Sequence, residues 1–434
     1  MKKRAKKRTR PLPAEYNMLL TATLCLLALG AVMVFSASST TRILQDGGLS
    51  DSAFYLKRTL LFGAVGLVIM FLASRHGLRV VRQLTPILLA GSIFLLLAVL
   101  AVGTEVNGAT RWLGGGFLQV QPSELAKVAL ILYGADLLAR KPKRVRSLEG
   151  IMPFLLVVGA SSLLIMLQPD MGTTMVIAFS VGATLIAAGV RPADLGKIGL
   201  VIAVLALLMA VVEPYRMARL TSFLNPSADA AGAGFQAAQA KIALGSGGLF
   251  GEGLGNGVQK AFYLPEAHTD MITAVIGEEL GLVGIAGVVG LFAMFGYAGL
   301  KTAQKAKDIY GKLLVTGLTS LVLVQAIINL FAVMGMAPLT GVPLPFVSYG
   351  NSSLMASLFA VGLVLNVARG GTAKAARTST PTRAGKLRVV EGGRSPARER
   401  SRAGSARKAK SGGGSGGNRG ARRARHGGRR RASG

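Results

Sequence analysis

The chain has 434 residues, is 51% hydrophobic and has a mean hydropathy of +0.50. So many long apolar runs exclude a soluble globular protein and predict a polytopic membrane protein. The formal net charge of +31 lies mostly at the two ends, with seven Lys or Arg in residues 1–10 and nineteen in residues 371–434. Basic ends beside membrane spans mark the cytoplasmic side and contact anionic lipid, so we expect no nucleic-acid partner. Cys25 is the only cysteine, which excludes an intrachain disulfide.

Apolar windows of about 20 residues predict an all-α fold with about ten transmembrane helices. The windows lie near residues 17–37, 56–73, 86–103, 122–139, 151–168, 171–190, 195–213, 271–299, 310–336 and 350–368. They divide the chain into a basic N-terminal tail (1–16), a membrane domain (17–368) and a basic C-terminal tail (369–434). The C-terminal tail is rich in Gly, Ser and Arg, and we expect it to be disordered.

Charge predicts the orientation of these spans. With the N-terminus in the cytoplasm, the inner loops hold fourteen Lys or Arg, whereas the short outer loops and their edges hold four. The positive-inside rule favours this arrangement. An even number of spans also puts the C-terminal tail in the cytoplasm. The one long connection, residues 214–270, is then extracellular.

Two outer segments contain candidate binding residues. Arg111 and Trp112 lie in the loop from Thr104 to Gln121, and they suit either an interfacial anchor or a contact to a sugar or pyrophosphate. The next span opens QPSELAK, which puts Glu124 and Lys127 on one helix face. That pair is either a structural ion pair or a means of binding a diphosphate through Lys127.

The long outer connection is the largest departure from a plain helix bundle. A short amphipathic helix is expected over residues 234–244, and the glycines from Gly245 to Gly257 would let the backbone approach a ligand closely. No lysine–serine pair follows these glycines, which excludes a nucleotide-binding P-loop. The cations of the connection suit an anionic headgroup, and they are Arg216, Arg219, Lys241 and Lys260.

Acidic residues mark the point where the chain re-enters apolar sequence. Asp270 is either the N-cap of the following helix or a functional carboxylate, and Asp170 is expected to cap the helix after the Gln168–Asp170 turn. Glu278 and Glu279 lie roughly 12 Å further along the helix, and intramembrane carboxylates are functional candidates. Gln325 and Asn329 are spaced i, i+4 on another span, and we expect them to hydrogen-bond across the bundle. The proline-rich stretch 338–353 is expected to line a cavity.

Several segments resemble the SEDS family, which includes FtsW, RodA and SpoVE. The strongest are YLPEAHTDMITAVIGEELGLVG (263–284) and PLTGVPLPFVSYGNSSL (338–354), with ATRWLGGGFLQVQPSELAK (109–127) and QPDMGTT (168–174) as further blocks. VMVFSASS (32–39) and the long outer loop look more like FtsW than RodA. The resemblance covers about residues 17–368. Asn351 and Met271 depart from it, because the family usually has glycine and phenylalanine there.

The resemblance implies a peptidoglycan glycosyltransferase that polymerises lipid II at the outer face of the bacterial cytoplasmic membrane, with a septal role in division. Asp270 falls on the family's catalytic aspartate, and Arg111, Trp112 and Lys127 fall on positions that shape the substrate cavity. Arg216, Lys260 and Glu279 are added as substrate-binding candidates. The implied partners are a class B penicillin-binding protein and other division proteins. The sequence has no metal-ligand cluster, so the only cofactor expected is a divalent cation bound with the pyrophosphate.

The hypothesis for the reaction is inverting, with Asp270 as general base, by analogy with inverting glycosidases. Two rival functions are a transporter that flips lipid II and a non-enzymatic division scaffold. A flippase predicts that Glu124, Lys127, Glu278 and Glu279 matter more than Asp270. A scaffold predicts that replacing Asp270 has no effect. The outer placement of Asp270 favours the enzyme.

Overall fold

The computed structural model describes residues 12–45, 53–106, 109–116, 119–212, 223 and 234–372. Most of both predicted tails therefore lies outside the described residues, as do Arg216 and Arg219. Twelve α-helices are labelled here in chain order: α1 Ala14–Gln45, α2 Phe54–Arg75, α3 Leu78–Val102, α4 Pro122–Arg140, α5 Leu148–Leu167, α6 Met171–Ala188, α7 Pro192–Val212, α8 Phe235–Ser246, α9 Gln259–Phe262, α10 Ile272–Gln304, α11 Ile309–Val333 and α12 Asn351–Ala368.

The helices confirm the predicted all-α membrane architecture. Within the described ranges, eight helices are long and apolar enough to cross a membrane, namely α1, α2, α3, α5, α6, α10, α11 and α12. Helices α4 and α7 occupy the two remaining predicted positions. Helix α4 is less apolar because it contains Glu124, Lys127 and Asp136. The chain is a multi-pass membrane protein.

A short β-hairpin is an addition to the predicted all-α fold. Strand β1 (Thr104–Val106) pairs antiparallel with β2 (Ala109–Trp112) in the loop between α3 and α4. The hairpin includes both Arg111 and Trp112. Strand pairing thus holds the backbone of Arg111 and Trp112 in an extended conformation.

Helices α11 and α12 form the centre of the bundle. Helix α11 packs against α4, α6, α10 and α12, while α12 packs most extensively against α2. Their side chains are buried over most of their length, whereas α2, α3 and α5 expose many large apolar residues. Exposed apolar faces on the outer helices are what a lipid environment requires.

Helix α3 begins earlier than predicted. The inner loop was expected to extend over 74–85, but the helix starts at Leu78. Leu78, Val81 and Thr85 are buried at helical spacing, and Arg82 donates to Asp136 of α4 at 2.5 Å. Of the arginines that indicated a loop, Arg75 is the last residue of α2, and Arg79 and Arg82 lie in the first two turns of α3.

Helix α10 is interrupted at Gly281, where the prediction had one continuous span. Gly281 has φ 65° and ψ −161°, which breaks the helical hydrogen-bond ladder. The loop after α8 supplies the missing partners: Leu282 N and Val283 N donate to Gly248 O and Leu249 O at 3.0 and 3.2 Å. In return, Glu278 O and Glu279 O accept from Glu252 N and Gly253 N at 2.9 and 3.1 Å. The break is therefore satisfied by backbone, as burial at this depth demands.

The glycine-rich loop approaches this break, and at Gly251 the backbone it approaches closely is that of α10. Close approach of a ligand to the glycines from Gly245 to Gly257 stays a prediction. A Cβ on Gly251 would lie 2.2 Å from Glu279 O, and one on Gly281 would lie 2.4 Å from Gly251 N. Gly251 also has φ 79°. Glycine is required here because the two backbones are in direct contact.

The proline-rich stretch between α11 and α12 is non-helical up to Gly350, and most of residues 342–348 are buried in the bundle. Its lining of a cavity stays a prediction, and residues 351–353 already belong to α12. Val342, Leu344, Phe346 and Val347 are all at most 4% exposed. Side chains satisfy its backbone, since Gln325 Nε2 donates to Pro343 O at 3.0 Å and Ser348 Oγ accepts from Leu344 N at 2.8 Å. We call residues 337–350 the proline loop.

Candidate active site

Asp270 lies in the turn that leads into α10, and it does not cap that helix. The helix begins at Ile272, its N-cap residue is Met271, and no side chain caps it. The capping alternative for Asp270 is therefore wrong. The Asp270 side chain is partly exposed, and Thr269 Oγ1 lies 3.2 Å from its Oδ1. By contrast, Asp170 caps α6 as predicted, accepting from Thr173 N at 3.0 Å.

A second carboxylate stands close to Asp270. Thr269 Oγ1 is 3.1 Å from Glu266 Oε2 as well as 3.2 Å from Asp270 Oδ1. A threonine hydroxyl has one proton, and the Glu266 carbonyl oxygen, at 3.0 Å, competes with both carboxylates for it. The turn thus presents two acidic side chains on either side of one hydroxyl.

Asn329 of α11 holds the backbone on which Asp270 sits. Its Nδ2 donates to Asp270 O at 2.7 Å and to Val342 O of the proline loop at 2.8 Å. Its Oδ1 accepts from Thr273 Oγ1 at 2.6 Å. The prediction that Gln325 and Asn329 bond across the bundle is confirmed, because both reach the proline loop.

The proline loop forms a second wall beside the carboxylate. A Cβ on Gly341 would lie 3.9 Å from Asp270 Oδ2, so the loop backbone approaches Asp270 with no side chain at that position. Tyr349 N also donates to His268 O at 2.9 Å. The turn that contains Asp270 is therefore joined to the proline loop at both ends.

An aromatic cluster extends this wall toward α2. Tyr55 packs on His268 with ring centroids 4.4 Å apart, and Tyr349 lies 4.9 Å from Tyr55. Arg58 lies over the Tyr349 ring at 6.0 Å. With its amide oxygen turned toward Arg58, Asn351 accepts from the Arg58 Nε at 2.9 Å.

Lys127 is buried in a polar network rather than exposed in a groove. Its Nζ donates to Glu124 Oε1 and to Gln325 Oε1, each at 2.8 Å. The two charged side chains are only 2% and 3% exposed. The predicted Glu124–Lys127 pair is confirmed, and Gln325 links it to Pro343 of the proline loop.

Arg111 joins the β-hairpin to the turn between α5 and α6. Its Nε donates to Gln168 O at 3.1 Å, and its Nη2 donates to Pro169 O. Trp112 is partly exposed on the same strand, and its carbonyl accepts from Thr104 Oγ1 at 3.2 Å. These contacts give Arg111 an anchoring role, and part of its side chain remains exposed.

Lys260 and Glu279 form a second buried ion pair. Lys260 Nζ donates to Glu279 Oε1, and Ser36 Oγ of α1 lies 2.7 Å from both Glu279 oxygens. Their side chains are 1% and 0% exposed. The neighbouring Glu278 accepts from Val258 N and Gln259 N at 2.7 and 3.0 Å and so holds the start of α9. Here the two acids and the lysine connect α1, α9 and α10.

Site residues predicted from the sequence thus fall into separate places. Asp270 lies beside the proline loop, Lys127 lies beneath that loop, and Lys260 and Glu279 lie at the α10 break. Arg216 lies outside the described residues. Over the described ranges, no group of three or more His, Cys, Asp or Glu side chains is arranged to hold a metal ion.

Comparison with known proteins identifies the family. A sequence model of the FtsW/RodA/SpoVE group, described as "Cell cycle protein", matches residues 16–372. The chain belongs to the FtsW/RodA/SpoVE family. Two similar relatives are the probable peptidoglycan glycosyltransferase FtsW of Trichlorobacter lovleyi and the stage V sporulation protein E of Bacillus subtilis. The first is 41% identical over 82% of this chain and 94% of the relative, and the second 42% identical over 81% and 96%.

Solved structures of the family share this fold. A chain from a peptidoglycan synthase complex has a TM-score of 0.66 and 28% identity, covering 81% of this chain and 97% of that chain. The RodA protein of Thermus thermophilus has a TM-score of 0.60 and 30% identity, covering 81% of this chain and 96% of that chain. Family membership and the membrane fold therefore rest on both sequence and structure.

The site also contains residues that sequence reasoning gave no role. Ser36 was quoted only within a family block, yet it contacts both members of the Lys260–Glu279 pair. Thr273 completes the bonds of Asn329. A serine or threonine inside an apolar helix is a weak signal, because such hydroxyls usually bond to the preceding turn of their own helix.

Proposed function

We propose that this FtsW/RodA/SpoVE-family protein is a peptidoglycan glycosyltransferase that polymerises lipid II at the outer face of the cytoplasmic membrane, with Asp270 as its general base. The observation that supports this proposal is the position and partial exposure of the Asp270 carboxylate. It is a partly exposed carboxylate at the entrance to a buried helix segment, held by its backbone and not used as a cap. The names of the relatives support the reaction class.

In the proposed step, a sugar hydroxyl of the acceptor attacks the anomeric carbon of the lipid-linked donor. The Asp270 carboxylate takes the proton of that hydroxyl as the new glycosidic C–O bond forms. The anomeric bond to the pyrophosphate breaks, and the lipid pyrophosphate leaves with the electron pair. Attack from the face opposite the leaving group inverts the anomeric centre. General base catalysis of this kind contributes roughly 10²–10⁴-fold to the rate.

A divalent cation would neutralise charge on the pyrophosphate. Mg²⁺ is usually bound by one or two carboxylates together with substrate phosphates. Glu266 fits as the carboxylate ligand, because its Oε2 and Asp270 Oδ1 border the same Thr269 hydroxyl. Asp270 then keeps its role as base, and most of the cation's ligands would come from the pyrophosphate.

The decisive experiment is polymerisation of purified lipid II by the reconstituted protein and its Asp270→Ala and Asp270→Asn variants. The partner transpeptidase would be present with its crosslinking blocked. Asp308→Ala is the matched control, because Asp308 caps α11 through Gly311 N at 2.8 Å and has no place in the reaction. We expect both Asp270 variants to fold and lose at least about 100-fold in rate, while Asp308→Ala retains activity.

Normal polymerisation by the Asp270 variants would refute the proposal. A lipid II translocation assay on the same proteoliposomes would then test the flippase alternative. The interruption of α10 favours that alternative, since broken helices with buried charges are typical of transporters. Against it, the charges at this break are paired with each other and with backbone.

The proposal extends to a septal role and to partners. The FtsW-like blocks favour cell division, and the similar chain in a peptidoglycan synthase complex favours a class B penicillin-binding protein as the crosslinking partner. Depletion in the native bacterium tests the septal role. Filaments without septa would support it, whereas rounded cells that still divide would indicate a role in elongation.

A further inference from the structure

Asn329 is a buried amide whose polar atoms all have partners. It is 2% exposed and lies in the last third of α11. Its Nδ2 donates two hydrogen bonds, to Asp270 O at 2.7 Å and Val342 O at 2.8 Å, and its Oδ1 accepts from Thr273 at 2.6 Å. A side chain with two donors and one acceptor engaged at these lengths has one orientation and resists displacement.

The two carbonyls that Asn329 binds belong to the two walls of the candidate site. One is the carbonyl of Asp270 itself. The other is that of Val342, which follows Gly341, the residue whose backbone approaches Asp270 Oδ2. A single amide therefore links the proline loop to residues 266–270, which we call the acidic turn.

Asp270 lies in the turn before α10, whose N-cap residue, Met271, makes no side-chain cap bond. The Asp270 carboxylate is partly exposed. Asn329 holds Asp270 through its peptide carbonyl, so neither carboxylate oxygen of Asp270 takes part in the bonds that Asn329 makes.

We propose that Asn329 is a positioning residue that sets the distance between the Asp270 carboxylate and the proline loop. This inference rests on the proposed role of Asp270 as general base. Asn329 contacts no reacting atom and acts through the Asp270 peptide. Displacing a reacting group by about 1 Å can cost about 100-fold in rate, so loss of Asn329 should lower kcat.

The test compares Asn329→Leu and Asn329→Asp with a matched control, Asn366→Leu. Asn366 is also buried, at 4% exposure, and its Nδ2 also donates to two backbone carbonyls, those of Ala73 and His76. It lies at the end of α12, in contact with the α2–α3 turn rather than the acidic turn. Asn366→Leu loses two donated bonds, whereas Asn329→Leu loses two donated bonds and the bond accepted from Thr273. The apparent melting temperature should therefore fall in both variants, and somewhat further at position 329.

The rates should differ between the two positions. Per folded molecule, we expect Asn329→Leu and Asn329→Asp to lower kcat for lipid II polymerisation by about 10- to 100-fold with KM changed less than about threefold. Asn366→Leu should retain the wild-type kcat. Asn329→Asp keeps the acceptor for Thr273 and replaces the donors, so a loss of kcat shared by both variants at 329 would not come from the Thr273 bond.

Equal kcat values for the leucine variants at 329 and 366 would overturn the inference, as would a rise in KM at 329 without a fall in kcat. Asp270→Ala, measured beside them, separates this failure from that of the proposed function. If Asp270→Ala is inactive and Asn329→Leu behaves like Asn366→Leu, only the positioning role is refuted. If Asp270→Ala is fully active, the proposed general base is refuted, and with it any role that acts through Asp270.

Discussion

Replacing Lys127 by methionine tests whether the buried Glu124–Lys127 pair is structural. Methionine is an unbranched side chain one atom shorter than lysine, and it removes the charge. Glu124, 2% exposed, would then be left without its ion-pair partner, and Gln325 Oε1 would lose a donor. At the observed 2.8 Å separation, the attraction between the charges is about 6 kcal/mol at an effective dielectric constant of 20. Because breaking a buried pair typically costs about 3–5 kcal/mol, we expect the free energy of unfolding to fall by that amount.

The double variant Lys127→Met/Glu124→Gln should recover most of this loss. Replacing both partners removes the uncompensated charge, and such replacements of buried pairs are often neutral. We expect the double variant to lie within about 2 kcal/mol of the wild type. Lys197→Met is the exposed control: Lys197 is 68% exposed and 3.7 Å from Asp194. It should change stability by no more than about 1 kcal/mol.

Equilibrium unfolding in mixed detergent micelles would measure these differences, with the fluorescence of Trp112, the only tryptophan, as the probe. If Lys127→Met and Lys197→Met have the same small effect, the reasoning from burial is refuted. Polymerisation by the double variant then separates two roles for Lys127. A structural role predicts that activity returns with stability, whereas direct binding of a diphosphate predicts a stable protein with weakened substrate binding.

Two further substitutions test the contacts that shape the site. Gly251→Ala should destabilise the protein by about 2–4 kcal/mol, from left-handed strain and overpacking, since its Cβ would lie 2.2 Å from Glu279 O. Gly255→Ala, with φ 87° and open space for a Cβ, should cost only about 1 kcal/mol; equal losses in thermal unfolding would contradict the docking of the loop on α10. Arg111→Lys should raise KM for lipid II and lower stability by about 1–3 kcal/mol, because a single ammonium does not reproduce the bonds to Gln168 O and Pro169 O. An unchanged KM would limit Arg111 to anchoring the hairpin.

Much of the fold could be predicted from apolar windows, because lipid imposes a single requirement on every spanning helix. Helix α12 begins within one residue of its predicted start and ends at Ala368, as predicted. The failures occur where polar residues lie inside a helix. Arg75, Arg79 and Arg82 indicated a loop, but Arg82 is satisfied by Asp136 across the bundle, and α3 begins at Leu78.

The interior of the site was less predictable, because it depends on contacts between distant segments. Gly281 has no local signal that distinguishes it from other helix glycines. The helix breaks there because the backbone of residues 248–253 supplies replacement hydrogen bonds. Glu279 and Lys260 were expected to meet a substrate, and the described residues show them paired with each other, with Ser36 and Gly255 N also bonded to Glu279. Such pairing is a property of the tertiary fold, and charge alone cannot indicate it.

The buried pairs also constrain where the anionic leaving group would be held. Moving Lys260 toward a pyrophosphate would leave Glu279 without its ion-pair partner. Because the Glu279 side chain is 0% exposed, this would cost several kcal/mol. The same argument applies to Lys127 and Glu124. Arg111 differs because it is partly exposed and its described bonds use two of the five donors of a guanidinium. Of the three cations Arg111, Lys127 and Lys260, we therefore expect Arg111 to contact the pyrophosphate directly.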